Sequence, residues 1–314
     1  MLKLIMTVGA SSSGKTKWAE EYILEQALQG DPKWVNLNRD DIRFALFNNG
    51  VRDWTKYKFN NSNEKRVTKV VDQKAFDASV LQHNIIISDT NLSPAIRGKW
   101  ESWAEENGYE VEYKYFQESW ETLVKRNAQR EGGLPESLLW SQYKRFMQQF
   151  GTIGGNKIKP YEDCLFLEDT IIVDLDGTVA DMTGVRKPFD WDKVHLDKPR
   201  QEVIDMVSAL ALKTGHITFF SGRDGVCYDS SAQWIEDNII TDDLARLGIK
   251  WDLYQRSPKD SRKDDIIKYE LFDNQVRGKY NVIALFDDRP QVVRMWDLLD
   301  IPNIIQVGKY NVEF

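Results

Sequence analysis

Residues 9–16 read Gly-Ala-Ser-Ser-Ser-Gly-Lys-Thr, directly after the apolar run 2–8 and directly before a helical pattern. Set between a strand and a helix, the spacing G-x-x-x-x-G-K-[ST] constrains the front of the chain more than any other feature. It requires backbone N–H groups at a helix start to face an anion, with the positive end of the helix dipole behind them. Gly9, Ser13 and Gly14 are expected to shape this cradle. Lys15 would reach the β and γ phosphates of a nucleotide, and Thr16 would offer its hydroxyl to Mg²⁺. The bland alternative is a Gly/Ser-rich turn without a ligand.

Apolar runs then alternate with helical patterns along the chain, as a parallel sheet covered on both faces requires. The spacing predicts strands at 2–8, 34–37, 85–88 and 109–116, with helices at 16–28, 41–47, 67–81, 94–107, 120–129 and 135–150. Three glycines and a proline in 151–160 suggest a linker, after which the rhythm resumes. Strands are predicted at 170–175, 216–220, 251–254, 282–286 and 304–307, and helices at 200–213, 232–247, 263–274 and 291–299. The expected architecture is α/β in two domains, each a mainly parallel sheet covered by helices: 1–150, a connecting stretch 151–168, and 169–314.

A cradle only binds, so the phosphate acceptor needs its own residues. Arg39-Asp40-Asp41-Ile42-Arg43 puts carboxylates and guanidiniums just past a strand end, where ligands collect in open α/β sheets. One carboxylate can take the proton of an attacking hydroxyl while an arginine grips a phosphate; equally, the Asp pair can serve as helix caps. Asp89 and Asn91 follow the apolar strand at 85–88, placed to orient Mg²⁺ or the acceptor, or to cap the helix after Pro94. Arg126 and Arg130 precede Gly132-Gly133, either as lid cations over a transferring phosphate or as a solvated helix end.

The second constellation lies in the rear half. Ile171-Ile-Val-Asp174-Leu-Asp176-Gly177-Thr178 ends an apolar strand in D-x-D-G-T, and three later stations follow: Ser221-Gly222-Arg223, Lys263, and Asp287-Asp288-Arg289. Asp174, Asp176, Asp287 and Asp288 would supply the oxygen ligands that Mg²⁺ prefers. Asp174 can attack phosphorus once Mg²⁺ and Lys263 relieve its repulsion, Asp176 can protonate the leaving oxygen, and Ser221 can donate to the phosphoryl group. Arg223 and Arg256 add cations for a phosphodiester. A calcium-like turn is the duller alternative.

Composition removes other chemistries. Two cysteines and three histidines, with no ligand-spaced pair, exclude a thiolate zinc cluster and make imidazole chemistry unpromising; they fit a reducing, cytoplasmic setting. The run 2–8 is too short for a membrane span. Net charge is −7, near neutral in 1–150 and −8 in 151–314, so nucleic acid would be gripped by local cations rather than an overall basic field.

The front half resembles P-loop kinases of the polynucleotide 5′-kinase type, and the rear half resembles haloacid-dehalogenase-like phosphatases. With Asn-Leu-Asn-Arg-Asp-Asp-Ile-Arg at 36–43 and Ile-Ser-Asp-Thr-Asn-Leu-Ser-Pro at 87–94, the whole is similar to the bifunctional polynucleotide kinase/3′-phosphatases of T-even bacteriophages. The resemblance implies ATP and Mg²⁺ at Lys15 and Thr16, Asp40 as general base, and Arg43 on the phosphate beside the acceptor nucleoside. Asp89 becomes a required carboxylate and Arg130, backed by Arg126, the lid cation. In the rear it implies Asp174 as nucleophile, Asp176 as acid/base, and Ser221, Arg223, Arg256 and Lys263 as phosphate and substrate contacts. RNA and DNA ends as substrates, a ligase downstream and a homotetramer follow from the same resemblance, which covers essentially the whole chain and matches poorly over 48–61 and 160–170. A bifunctional small-molecule kinase/phosphatase and a non-catalytic ATP-binding module use the same motifs.

Overall fold

The computed structural model describes residues 1–130 and 132–308, with nothing on the side chain of Thr55. Contacts divide the chain into two compact units after Gly151. The front unit runs β1 (Leu2–Val8), α1 (Lys15–Leu28), β2 (Trp34–Leu37), α2 (Arg39–Phe47), α3 (Asn61–Val80), β3 (Asn84–Ile87), α4 (Pro94–Glu106), β4 (Tyr109–Tyr115), α5 (Trp120–Ala128) and α6 (Glu136–Phe150). Its sheet has the order β2-β3-β1-β4 and is parallel throughout. Leu4, Met6, Ile85 and Ile87 face one apolar layer and Ile5 and Ile86 the other, so strands covered on both sides read as unbroken apolar runs.

The rear unit opens with a hairpin of β5 (Thr152–Ile153) and β6 (Asn156–Lys157), then β7 (Glu168–Asp174). A second small hairpin, β8 (Ala180–Asp181) with β9 (Lys198–Pro199), brackets residues 182–197. There follow α7 (Gln201–Thr214), β10 (His216–Asp224), α8 (Tyr228–Asn238), α9 (Asp242–Arg246), β11 (Lys250–Arg256), α10 (Asp264–Gln275), β12 (Tyr280–Asp287), α11 (Pro290–Leu298) and β13 (Ile304–Gln306). The sheet order is β11-β10-β7-β12-β13, again all parallel, so Asp174 ends the central strand.

The helix expected over 232–247 is two. Ile239 and Ile240 both bond back to the Ile235 carbonyl, and the Asn238 amide bonds the Trp234 carbonyl, closing α8 before Thr241 starts α9. Burial of both isoleucines overrides the helical pattern there. Among the described residues no helix is long and apolar enough to cross a membrane.

Candidate active sites

In the front unit the cradle is built by close approach. A Cβ at Gly9 would stand 2.9 Å from Phe116 and from Ser13 Oγ, and Gly14 sits at φ +96°, so both positions favour glycine. Ser12 also adopts positive φ, and its buried hydroxyl lacks a partner among the described residues, which fits an anion as the missing ligand. Lys15 is buried and curls over the loop, donating to the Ala10 carbonyl at 2.6 Å and Ser13 Oγ at 3.3 Å. Burial pulls its ammonium down to about 8, against the opposing pull of Asp89 and Asp40.

Asn38 ties the end of β2 to the end of β3 and to the start of α1. Its Oδ1 accepts from the N–H groups of Asp40 and Asp41, while its Nδ2 donates to Ser88 Oγ at 2.9 Å and Thr16 Oγ1 at 3.3 Å. Asn38 is therefore the N-cap of α2, which frees Asp40 from capping. Asp40 Oδ1 accepts from Arg43 at 2.6 Å, and Arg130 lies 3.9 Å from Oδ2. Asp89 accepts the Arg39 N–H at 3.0 Å, and burial pushes its carboxyl up to about 6.

Glu64, on α3, was not foreseen. It takes a bidentate pair from Arg43 at 2.9 and 2.8 Å, a third bond from Arg39 at 3.0 Å, and a fourth from the Tyr57 hydroxyl at 2.6 Å. Led by the Arg43 hydrogen bonds, these partners hold its carboxyl down at about 2 despite burial. Arg39 and Arg43, expected to grip substrate, are thus anchored within the protein, and Arg43 holds Asp40. Asn91 departs further from expectation: buried, it donates to the Thr7 and Ile87 carbonyls and joins β1 to β3 instead of facing the site. Arg126 pairs with Glu118 at 2.9 Å on a half-exposed surface, with its guanidinium near Gly14.

In the rear unit the central surprise is a lysine. Lys263 is the exposed N-cap of α10, whereas Lys268, one turn further in, is buried and donates to Asp174 Oδ1 at 2.7 Å and Asp287 Oδ2 at 2.8 Å. Lys268 takes the place expected for Lys263, since its side chain is the one that points inward to the strand ends while Lys263 stays exposed. Burial opposes its charge, but Asp174, Asp287 and Asp264 outweigh that and hold it well above its ordinary value. Thr178 Oγ1 donates to Asp174 Oδ2 at 3.0 Å. Burial, reinforced by neighbouring carboxylates, raises Asp174 well above the usual range, with Lys268 pulling the other way.

Ligand atoms of Asp174, Asp287 and Asp288 lie within 4.8 Å of one another, a donor set of three carboxylates that suits a hard divalent ion. Burial, then the neighbouring Asp287, pushes Asp288 up to about 6. Gly177 makes the cluster possible: it has φ +82°, and a Cβ there would meet Asp288 Oδ2 at 2.0 Å.

The Asp176 side chain stands apart from that cluster, against the expectation of a fourth carboxylate ligand. Its Oδ1 accepts from Arg186 at 2.8 Å and from Arg223 at 3.0 and 2.6 Å. Both arginines are fully buried and both also bind Asp197, Arg186 in bidentate fashion at 2.7 Å. Arg223 is therefore no surface cation for substrate; it positions Asp176. Arg256 is likewise consumed, donating to the carbonyls of Gly222, Asp260 and Arg262, which fixes the loop before α10. Gly222 leaves room for Asp264, whose Oδ1 would stand 2.4 Å from a Cβ there, and Ser221 is fully buried at the end of β10.

Each unit thus gathers its polar groups at the carboxyl ends of a parallel sheet. The class follows: a P-loop domain, then a haloacid-dehalogenase-like domain. Residues 168–311 match the family model described as the polynucleotide kinase PNKP phosphatase domain, and residues 4–150 match the model described as the AAA domain. A "Putative bifunctional polynucleotide kinase/RNA ligase" of Autographa californica nuclear polyhedrosis virus is 34% identical over 99% of this chain. The chain spans 43% of that relative's length. Two solved structures, "Structure of Pnkp1/Rnl/Hen1 complex" and "Structure of the Pnkp1/Rnl/Hen1 RNA repair complex", are similar at 28% and 26% identity. They cover 99% of this chain and 98% and 97% of theirs, each with a TM-score of 0.41.

Proposed function

We propose that the chain heals broken polynucleotide ends: the front domain moves the γ-phosphate of ATP to a 5′-hydroxyl of RNA or DNA, and the rear domain removes a 3′-phosphate. What carries the reading is the pairing of a base-and-cradle site with a nucleophile-and-acid site on one chain, chemistries that serve opposite ends of one break. The viral relative's name, which joins a polynucleotide kinase to an RNA ligase, supports a ligase as the next step.

In the front site Lys15 and the cradle N–H groups hold the nucleotide's phosphates, and Thr16 is placed to hold Mg²⁺. Asp40, oriented by Arg43, accepts the proton as the 5′-oxygen attacks the γ-phosphorus and the ADP oxygen departs. Arg130, 3.9 Å from Asp40, neutralises charge on the transferring group. In the rear site Asp174, Asp287 and Asp288 would hold Mg²⁺, which supplies charge neutralisation of the phosphate when bound. Asp174 attacks phosphorus and forms a phosphoaspartate while the 3′-oxygen leaves with a proton from Asp176. Asp176 then takes a proton from water, which cleaves the phosphoaspartate and releases phosphate.

The test uses γ-labelled ATP with a 5′-hydroxyl oligonucleotide, and an unlabelled 3′-phosphate oligonucleotide in parallel. Label on the 5′ end and free phosphate from the 3′ end are expected; absence of either defeats that half. Excess free nucleoside or sugar should compete poorly, whereas effective competition would favour a small-molecule kinase/phosphatase. A pH effect follows from Lys15, which is charged below about 8 and neutral above it. Calorimetric affinity for an ATP analogue should weaken by up to about tenfold from pH 7 to pH 9, as one charged phosphate contact is lost.

A further inference from the structure

We propose that Trp54 and Phe59 form a stacking seat for the nucleobase at the 5′ end of the phosphate acceptor, an assignment that rests on the 5′-kinase reading above. Both lie in 48–61, the stretch the resemblance leaves without a role.

Trp54 is a wall of the same cavity, about 220 Å³, that Asp40, Thr16 and Arg130 line. Its ring meets the edge of Phe44 at 4.6 Å and lies nearly parallel to Phe59, centroids 5.6 Å apart and planes 13° apart. Gly132 closes onto it from another part of the chain: a Cβ there would sit 2.5 Å from Trp54 Cδ1. Tyr57 braces Phe59 edge-on at 4.7 Å, while its hydroxyl bonds Glu64. The ring system is thereby fixed to the carboxylate that holds Arg43, whose guanidinium lies 5.5 Å from the centre of Phe59.

The outer ring of this cluster is open: Phe59 is 63% exposed, next to the residue that orients the proton acceptor. A nucleobase is the part of a polynucleotide acceptor that matches it, because every base offers a π-face and stacking tolerates any sequence.

The experiment measures steady-state kinase constants for the full chain and for Phe59→Ala and Phe59→Tyr. Acceptors are a 5′-hydroxyl oligonucleotide and the same strand with an abasic 5′-terminal nucleotide. Phe59→Ala is expected to raise the acceptor KM about tenfold, with ATP KM and 3′-phosphate release unchanged, and Phe59→Tyr to restore it. The abasic end should cost the parent protein a similar factor and cost Phe59→Ala little more. An acceptor KM within twofold of the parent, a parallel rise in ATP KM, or an abasic end used as well as a normal one overturns the seat. If the parent labels no 5′-hydroxyl end, the kinase reading falls first and takes the seat with it.

Discussion

Replacing Lys268 by Met lowers 3′-phosphate release by about 10³-fold and leaves 5′-kinase activity untouched, while Lys263→Ala changes either by less than twofold. Among the described residues Lys268 is the one cation within 3 Å of both Asp174 and Asp287, and all three are buried. Without it the principal influence holding the Asp174 carboxyl down is gone, and burial together with Asp287, Asp288 and Asp264 drives it further up. A protonated Asp174 cannot attack phosphorus. Breaking a buried pair also costs about 3–5 kcal/mol, so the melting transition of the rear unit should fall while that of the front unit stays. Asp174→Asn sets the floor of the same assay by removing the nucleophile and keeping the shape. If Lys263→Ala proves the damaging change and Lys268→Met the silent one, the buried lysine has no part in the reaction.

Why Lys268 escaped the sequence while Asp174 did not is a matter of range. Asp174, Asp176, Gly177 and Thr178 are neighbours, so strand exit, ligand spacing and the tight turn at Gly177 are all written locally. Lys268 meets its partners across 94 and 19 positions, and its own stretch, Ile266-Ile267-Lys268-Tyr269, reads as an ordinary helix. Lys263 stood out only because it lies among other charges. The same blindness to burial made Arg223 and Arg256 look like substrate cations, when one is wholly enclosed by Asp176, Asp197 and Ser231 and the other holds loop carbonyls. Arg186 and Asp197 lie between β8 and β9, where no periodic element was legible. Strands such as β1 and β3 were readable because parallel strands covered on both faces read as near-continuous apolar runs.

Asp40→Asn should reduce kinase kcat by about 10³-fold with little change in ATP KM, the range expected for loss of a proton acceptor. Glu64→Gln should act on the same step at one remove, lowering kcat about tenfold, because Arg43 keeps its contact with Asp40 but loses the charged partner that fixes its guanidinium. Acid stability reads the Glu64 charge directly. The Glu64 carboxyl sits at about 2 in the folded protein against 4.5 without its partners, so its contribution is complete above about pH 4.5 and is lost as pH falls toward 2. With the side chain 31% exposed, solvent screening leaves that contribution at about 1–2 kcal/mol. Glu64→Gln should therefore flatten the acid limb of front-unit stability by that amount. Urea melts of each variant from pH 6 to pH 2.5 read this directly. An unchanged limb in Glu64→Gln would mean that the arginines are held by something other than its charge, and Arg43 would lose its claim to orient Asp40.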